Sequence, residues 1–532
     1  MKMHMRVGFA AFAAVIGFSA ALATESGANA PLGDAKFMPS MERPVGWRGD
    51  GSGRYPGATP PTIWERKKAG SGYAMKGIVY ATPMPNNGVS CPIIVGPRMF
   101  VTTESADLIC LEKQTGRIVW IRSNPQFEGL SDEDKKAHPE IAEKLTPLMA
   151  QLTKLNAEAV EQLNAQMAKA ATSATHTVPP AVTKKREIEK QINDAQLAID
   201  KKLFGTNWAQ AVFGFSGPTP TCDGKHVCVF FTTGVSACYD LDGNRKWIAF
   251  GQGMGSEHGN FASPLILGTQ LIVWANEMRS YDLETGKLTW TAPAKASNTY
   301  GSPFRVIAGG ELVAAFQNGY FVRAKDGQPI WGTQNFGDAV PTPIVENGFI
   351  FAHTGYPIYG KPKDGFKAFK IPAATTGAKL APAYGFKMDW AENELTIDSK
   401  KNPFDRNFVA SPLFVDGLIY SITEGGGLLV NNAANGELVY KKVLPLKPKT
   451  EYWNWAGASA SPTLAGKNIY LMDNQGTTLV IQPGPAYKEI ATNVIEESRD
   501  GKQQEQNVST PIFDGARMYY HTPSFLYCIG AQ

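Results

Sequence analysis

The chain has 532 residues, of which 43% are hydrophobic and 19% charged, with 53 Gly and 36 Pro. That length can bury a large core, and the Gly and Pro content places much of the chain in turns, which suits an all-β array. The formal charge of +4 is too small for a nucleic-acid surface, no basic-aromatic patch stands out, and binding of nucleic acid is excluded.

Residues 1–23 read as a secretory signal peptide. Lys2 and Arg6 precede an apolar run from Val7 to Ala23, and Ala21-Leu22-Ala23 offers a cleavage site before Thr24. No other segment is apolar and long enough to span a membrane, so the mature chain is expected to have no transmembrane segment. No Cys lies near the cleavage site to take a lipid anchor. The expectation is a soluble periplasmic or otherwise exported monomer, in a compartment that permits disulfides.

Residues 24–76 are rich in Gly and Pro and read as an irregular leader wrapping the surface. Within them Trp47 to Tyr55 spell W-R-G-D-G-S-G-R-Y. The single carboxylate of Asp50 is far short of a calcium shell, and packing is the better reading of this turn. Residues 77–130 read as a closing strand and a first four-stranded unit. Residues 131–203 lose Gly and gain Ala, Gln, Lys, Glu and Leu. Ile141, Leu145, Leu148, Leu152 and Leu155 alternate steps of four and three, as do Ile188, Ile192, Ala195 and Ile199, which predicts an antiparallel helical hairpin. Its apolar stripe is expected to be buried between its own two helices, leaving either a self-contained ornament or an arm that grips a partner.

Residues 204–532 are a repeat. In Ser263 to Trp290, S-P-L-I-L-G-T-Q-L-I-V-W-A-N-E-M-R-S-Y-D-L-E-T-G-K-L-T-W, four short β runs are separated by turns. The opening, a Ser or Thr at or near a Pro, occurs at Ser90-Cys91-Pro92 and at Thr219, Ser263, Ser302, Thr342, Ser411, Ser461 and Thr510. Eight openings predict an eight-bladed β-propeller of four-stranded antiparallel blades. The closing element, a Gly shortly before an aromatic, ends at Trp120, Trp247, Trp290 and Trp331, with Trp390 assigned to the fifth blade; each Trp is expected to wedge one blade against the next. A second insertion, from His353 to about Asn407, gives no motif. The last repeat has room for only three strands, and Gly77 to Met84 is the natural donor of its fourth.

Among the cysteines, Cys110, Cys238 and Cys528 share one register of the third strand and read as small buried residues. Cys222 and Cys228 flank a turn and are placed to pair across a hairpin.

The strand ending Y-D-L-E-T-G-K-L-T-W resembles the tryptophan-docking repeat of the pyrroloquinoline-quinone (PQQ)-like propellers, over roughly residues 77–128 and 204–532. That family holds quinoprotein alcohol dehydrogenases and the non-enzymatic outer-membrane assembly factor BamB. The resemblance implies that ligands bind at one channel mouth, on the loops leading into each opening. Here those loops offer Glu257, His258, Asn260, Tyr300, Asp405, Arg406, Asn407, Trp453, Asn454, Trp455 and Asn507. The dehydrogenases hold PQQ beneath a disulfide between adjacent cysteines and beside calcium; no two cysteines are adjacent here. The expected role is therefore a non-catalytic, protein-binding scaffold or assembly factor without a cofactor, its partner meeting the propeller face or the 131–203 hairpin. The alternatives are an oxidoreductase using PQQ and calcium at the mouth, and a carbohydrate-binding propeller stacking sugars on Trp453 and Trp455.

Overall fold

The computed structural model describes residues 29–531, except 171, 174–176, 207–213, 252–260, 276, 293–299, 332–335, 337–339, 355–364, 389–403, 405–407, 450–456 and 499–506. The expected signal peptide lies outside the described residues. Among those described the chain is all-β apart from the 131–203 insertion, and it forms eight sheets, most of them four-stranded, antiparallel and built from consecutive strands. The third is representative: Leu265–Leu267, Gln270–Trp274, Met278–Asp282 and Leu288–Ala292 follow one another outward. In the fourth, Phe304–Ala308, Glu311–Ala315 and Phe321–Arg323 make three strands, and the outer one is reduced to a bridge between Val322 and Pro329.

Each inner strand begins at one of the Ser/Thr/Cys-Pro openings, and the residue before Pro is held to its counterpart in the next sheet. The N–H of Cys91 donates to Thr219 Oγ1 at 3.1 Å, Thr219 to Ser263 Oγ, and Ser263 to Ser302 Oγ. The series runs on through Thr342, Ser411 and Ser461 to Thr510 Oγ1. The buried thiol of Cys91 lies beside Thr510. A hydroxyl or thiol is needed because these N–H groups are buried and must find an acceptor, while the following Pro has no N–H to satisfy.

The eighth sheet, Ile512–Asp514, Arg517–His521 and Phe525–Ile529, takes its fourth strand from Ile78–Pro83, with Leu526 opposite Thr82 and Cys528 opposite Tyr80. Strands from the two ends of the described chain thus share one sheet.

Neighbouring sheets meet through the predicted tryptophans. The turn before Leu288 is built locally: Asp282 Oδ1 accepts from the N–H and hydroxyl of Thr285, and Gly286 follows at φ +70°. Trp247 of the second sheet lies against that glycine, where an added Cβ would stand 2.5 Å from the indole, and its Nε1–H donates to Leu283 O at 2.9 Å. Trp290 repeats the arrangement on the next sheet, donating to Ala324 O, and Trp331 donates to Ala374 O. Trp120 lies against Gly243, but there Arg122 Nε supplies the hydrogen bond, to Gly243 O. Trp390 lies outside the described residues; the fifth sheet's fourth strand is Pro382–Gly385. The expected insertion from His353 onward is in part ordered sheet, because it contains that strand and Phe366–Lys370.

Three expectations need correction. The leader is not merely irregular. Arg54–Tyr55 pairs in parallel with the inner strand Thr463–Ala465, and the hairpin Glu65–Ala69/Gly72–Lys76 extends the outer edge of the same sheet, which becomes seven-stranded. Cys238, expected to be an unpaired small buried residue, forms a disulfide with Cys228, which leaves Cys222 without that partner, because Cys228 and Cys238 stand opposite each other in adjacent strands with Cα atoms 4.2 Å apart. Cys222 stands opposite Val227 and is a buried free thiol.

The third concerns the helical hairpin, Thr146–Ala170 and Pro180–Ile199, which is not buried only within itself. The long helix packs on Ile118–Ser123 and Ile78–Pro83, and Ala159, Leu163, Ala181 and Val182 belong to the main core. Asn164 behaves as a surrogate strand, since its Oδ1 accepts from Ile118 N at 2.8 Å and its Nδ2 donates to Ile118 O at 2.8 Å. Lys185 is 1% exposed and reaches Asp107 Oδ2 at 2.5 Å and Glu189, while Asp107 Oδ1 also accepts from Ser123.

Candidate channel site

The inner strands and the leader enclose the most structured site among the described residues. The leader first crosses the turns joining inner and second strands: Gly515 N donates to Gly33 O, and Val45 exchanges both backbone hydrogen bonds with Cys222 at 2.7 and 2.8 Å. It then enters between the inner strands. Arg48 is fully buried there, Nη1 donating to Pro412 O at 3.0 Å and Nη2 to Pro462 O at 2.8 Å. Burial pushes its guanidinium down to about 10, so it remains a cation at neutral pH. Gly53 has to be glycine: its φ is +70°, and a Cβ would run into the Arg48 guanidinium. The segment then adds to the seventh sheet, with Leu464 N donating to Gly53 O and Gly466 N to Tyr55 O.

Beside this plug lies a cavity of about 540 Å³. Its wall is the inner strands of the third, fourth and fifth sheets together with leader residues such as Trp47 and Arg54. Arg54 crosses it to an ion pair with Glu346 at 2.6 Å. The lining mixes apolar side chains with exposed backbone edge, which suits a peptide-like or other amphipathic ligand.

Of the residues expected at the channel mouth, Glu257, His258, Asn260, Asp405, Arg406, Asn407, Trp453, Asn454 and Trp455 lie outside the described residues. Tyr300 is half-buried immediately before the fourth opening. Asn507 is buried and braces backbone, with Nδ2 on His521 O and Oδ1 accepting from Ser509 N. The structure therefore gives Asn507 a structural employment. Glu104, which the sequence reading passed over, is a half-buried carboxylate in the second-to-third strand turn of the first sheet. Its Oε1 accepts from Phe215 N and Ser216 N, and burial pushes it up to about 7. Arg48 was also missed as a site residue; its signal was the run of alternating glycines around it. Among the described residues no group of three or more His, Cys, Asp and Glu side chains is placed to hold a metal ion. Nor is any helix among them long and apolar enough to cross a membrane.

Over part of their length these repeats are similar to those of the PQQ-like repeat proteins of the β-propeller class. Residues 168–370 match the family model described as outer membrane protein assembly factor BamB. Among characterised relatives, the outer membrane protein assembly factor BamB of Yersinia pestis is 22% identical over 203 residues, which is 31% of this chain and 51% of that protein. This chain thus spans about half the length of that relative. Among solved structures, BamB from Moraxella catarrhalis superposes with a TM-score of 0.41 at 13% identity, over 58% of this chain and 80% of that one. The computationally designed Ika8 protein superposes with a TM-score of 0.42 at 8% identity, over 84% and 97%.

Proposed function

We propose that this chain is an exported, non-catalytic, eight-bladed PQQ-like propeller that binds another protein as a scaffold or assembly factor. The observation that carries the functional part is the match of residues 168–370 to a family named for an assembly factor. The seven hydrogen bonds that link eight openings in series, from Cys91 to Thr510, support the blade count. The leader supports a binding role in a second way, because a covalent segment with a buried cation at its tip takes up space in which a propeller would otherwise hold a small molecule. Partner contact then falls to the propeller faces and to the outer side of the helical hairpin, which is rooted in the first sheet and can transmit load to it.

The test has two arms. Cross-linking of the mature chain in its own cell envelope, read by mass spectrometry, should return a recurrent partner attached through the hairpin or one propeller face. Calorimetric titration with PQQ in millimolar calcium, followed by dye reduction with alcohols and aldoses, should show neither tight binding nor turnover. A dissociation constant at or below about a micromolar, roughly 8 kcal/mol, would overturn the non-catalytic reading in favour of the oxidoreductase. Saturable binding of oligosaccharides through Trp453 and Trp455 would favour the carbohydrate reading.

A further inference from the structure

The leader's seat in the channel shows what the neighbouring cavity is built to take. Around the inner strands, residues that close a two-residue turn share hydrogen bonds with the second strand, so the residues between them direct N–H and C=O into the channel. Leu267–Gln270, Ala308–Glu311 and Glu346–Phe349 are such closing pairs. Counting back in twos, the carbonyls of Pro264, Pro303 and Pro343 face the channel, as do the N–H groups of Ile266, Arg305 and Val345. All six residues line the cavity. None of these backbone groups has a hydrogen-bond partner among the described residues.

The same positions in the sixth and seventh sheets are filled. Pro412 and Pro462 carbonyls, the counterparts of Pro264, Pro303 and Pro343, receive the two ends of one guanidinium, Arg48. Leu464 N–H, the counterpart of Ile266, Arg305 and Val345, donates to the leader carbonyl of Gly53. The third and fourth, fourth and fifth, and sixth and seventh openings are related by the same N–H to Oγ link, so a guanidinium that spans the sixth and seventh carbonyls has the reach to span the third and fourth, or the fourth and fifth.

We infer that the cavity binds an extended, arginine-bearing segment of a partner protein. Its guanidinium bridges two of the proline carbonyls, and its backbone adds to the inner edge through Ile266, Arg305 or Val345, as the leader does at the seventh sheet. Buried carbonyls without partners favour a group with several N–H donors, and guanidinium has five in a planar fork. Strand addition supplies the remaining hydrogen bonds without demanding one sequence. The inference rests on the protein-binding reading and supplies the chemistry of one of its contacts.

The experiment uses the full mature chain and the tripeptide acetyl-Gly-Arg-Gly-amide, with the citrulline tripeptide as a near-isosteric control that removes the charge and replaces one NH2 group, with its two N–H donors, by a carbonyl oxygen. Ligand-observed NMR should show saturable binding of the arginine peptide, with the citrulline peptide at least about tenfold weaker. Ile307→Trp, at a cavity residue 54% exposed and so tolerant of size, should abolish binding while leaving the circular dichroism unchanged. Arg48→Met, if it folds, should free the Pro412 and Pro462 carbonyls and raise the stoichiometry from one to two. Equal binding of both peptides, or binding indifferent to Ile307→Trp, would overturn the inference. Cross-linking to a partner would be untouched by that outcome, so this failure is separable from failure of the scaffold reading.

Discussion

Replacing Lys185 with Met removes a buried cation of nearly the same length and leaves Asp107 and Glu189 facing each other without it. The native ammonium is 1% exposed and Asp107 is fully buried, so water screens neither charge. Breaking a buried pair from one side costs about 3–5 kcal/mol, mostly because the remaining charge is left unpaired. Asp107 keeps its hydrogen bond from Ser123 at 2.6 Å, which argues for the lower half of that range. Because Lys185 stands on the second helix and Asp107 on the first sheet, the loss should appear as detachment of the hairpin. Hydrogen exchange of the amides in 146–199 should accelerate by about two to three powers of ten relative to wild type, while amides of the sixth sheet change little. Exchange accelerated by less than about fivefold, equivalent to less than about 1 kcal/mol, would refute the view that this ion pair anchors the hairpin. Replacing 131–203 by a short Gly/Ser linker should likewise lower stability and not leave it unchanged, since Ile118 and the core around Ala159 and Leu163 would face water.

Three further outcomes follow from the same contacts. Mass spectrometry after alkylation of the unreduced, unfolded chain should count four free thiols of six, and Cys228→Ala with Cys238→Ala should cost about 2–3 kcal/mol from the small loop that the bond closes; six alkylated thiols would exclude the pairing. Gly286→Ala should destabilise by about 1–3 kcal/mol, because the new methyl meets the Trp247 ring at a backbone conformation that alanine resists, and the Trp fluorescence should shift; an unchanged urea midpoint would count against the wedge. Burial lowers His353 to about 3 and His521 to about 4, so the unfolded chain binds those protons first and stability should fall as pH drops from about 6.5 through those values, whereas Glu104 and Glu189, raised by burial to about 7, contribute stability that is present below about 4.5 and lost as pH rises through 7. The two effects oppose each other between about pH 4.5 and 6.5, so the sign is read from the variant: a pH profile of stability unaltered by Glu104→Gln would contradict it.

The repeat was legible because everything that makes it is local. Opening, two-residue turn, Asp-x-x-Thr-Gly turn and tryptophan are each set by residues within a few positions, so their spacing shows the strands and the wedge without any tertiary knowledge. The heptad-like spacing of 141–155 and 188–199 showed helices for the same reason. What those helices rest on was not legible: Asn164, Lys185 and Gln196 look like solvent-facing polar residues until Ile118, Asp107 and Phe127 N–H are brought to them. The cysteine pairing depended on the register of two strands, and spacing about one turn pointed to the wrong partner. The leader was the least readable part, because Gly-rich sequence has no periodicity and its contacts join residues more than 360 positions apart, such as Arg48 with Pro412 and Pro462. The inner-strand edges that line the cavity come from three separate sheets, and no local pattern of side chains encodes that they face one space.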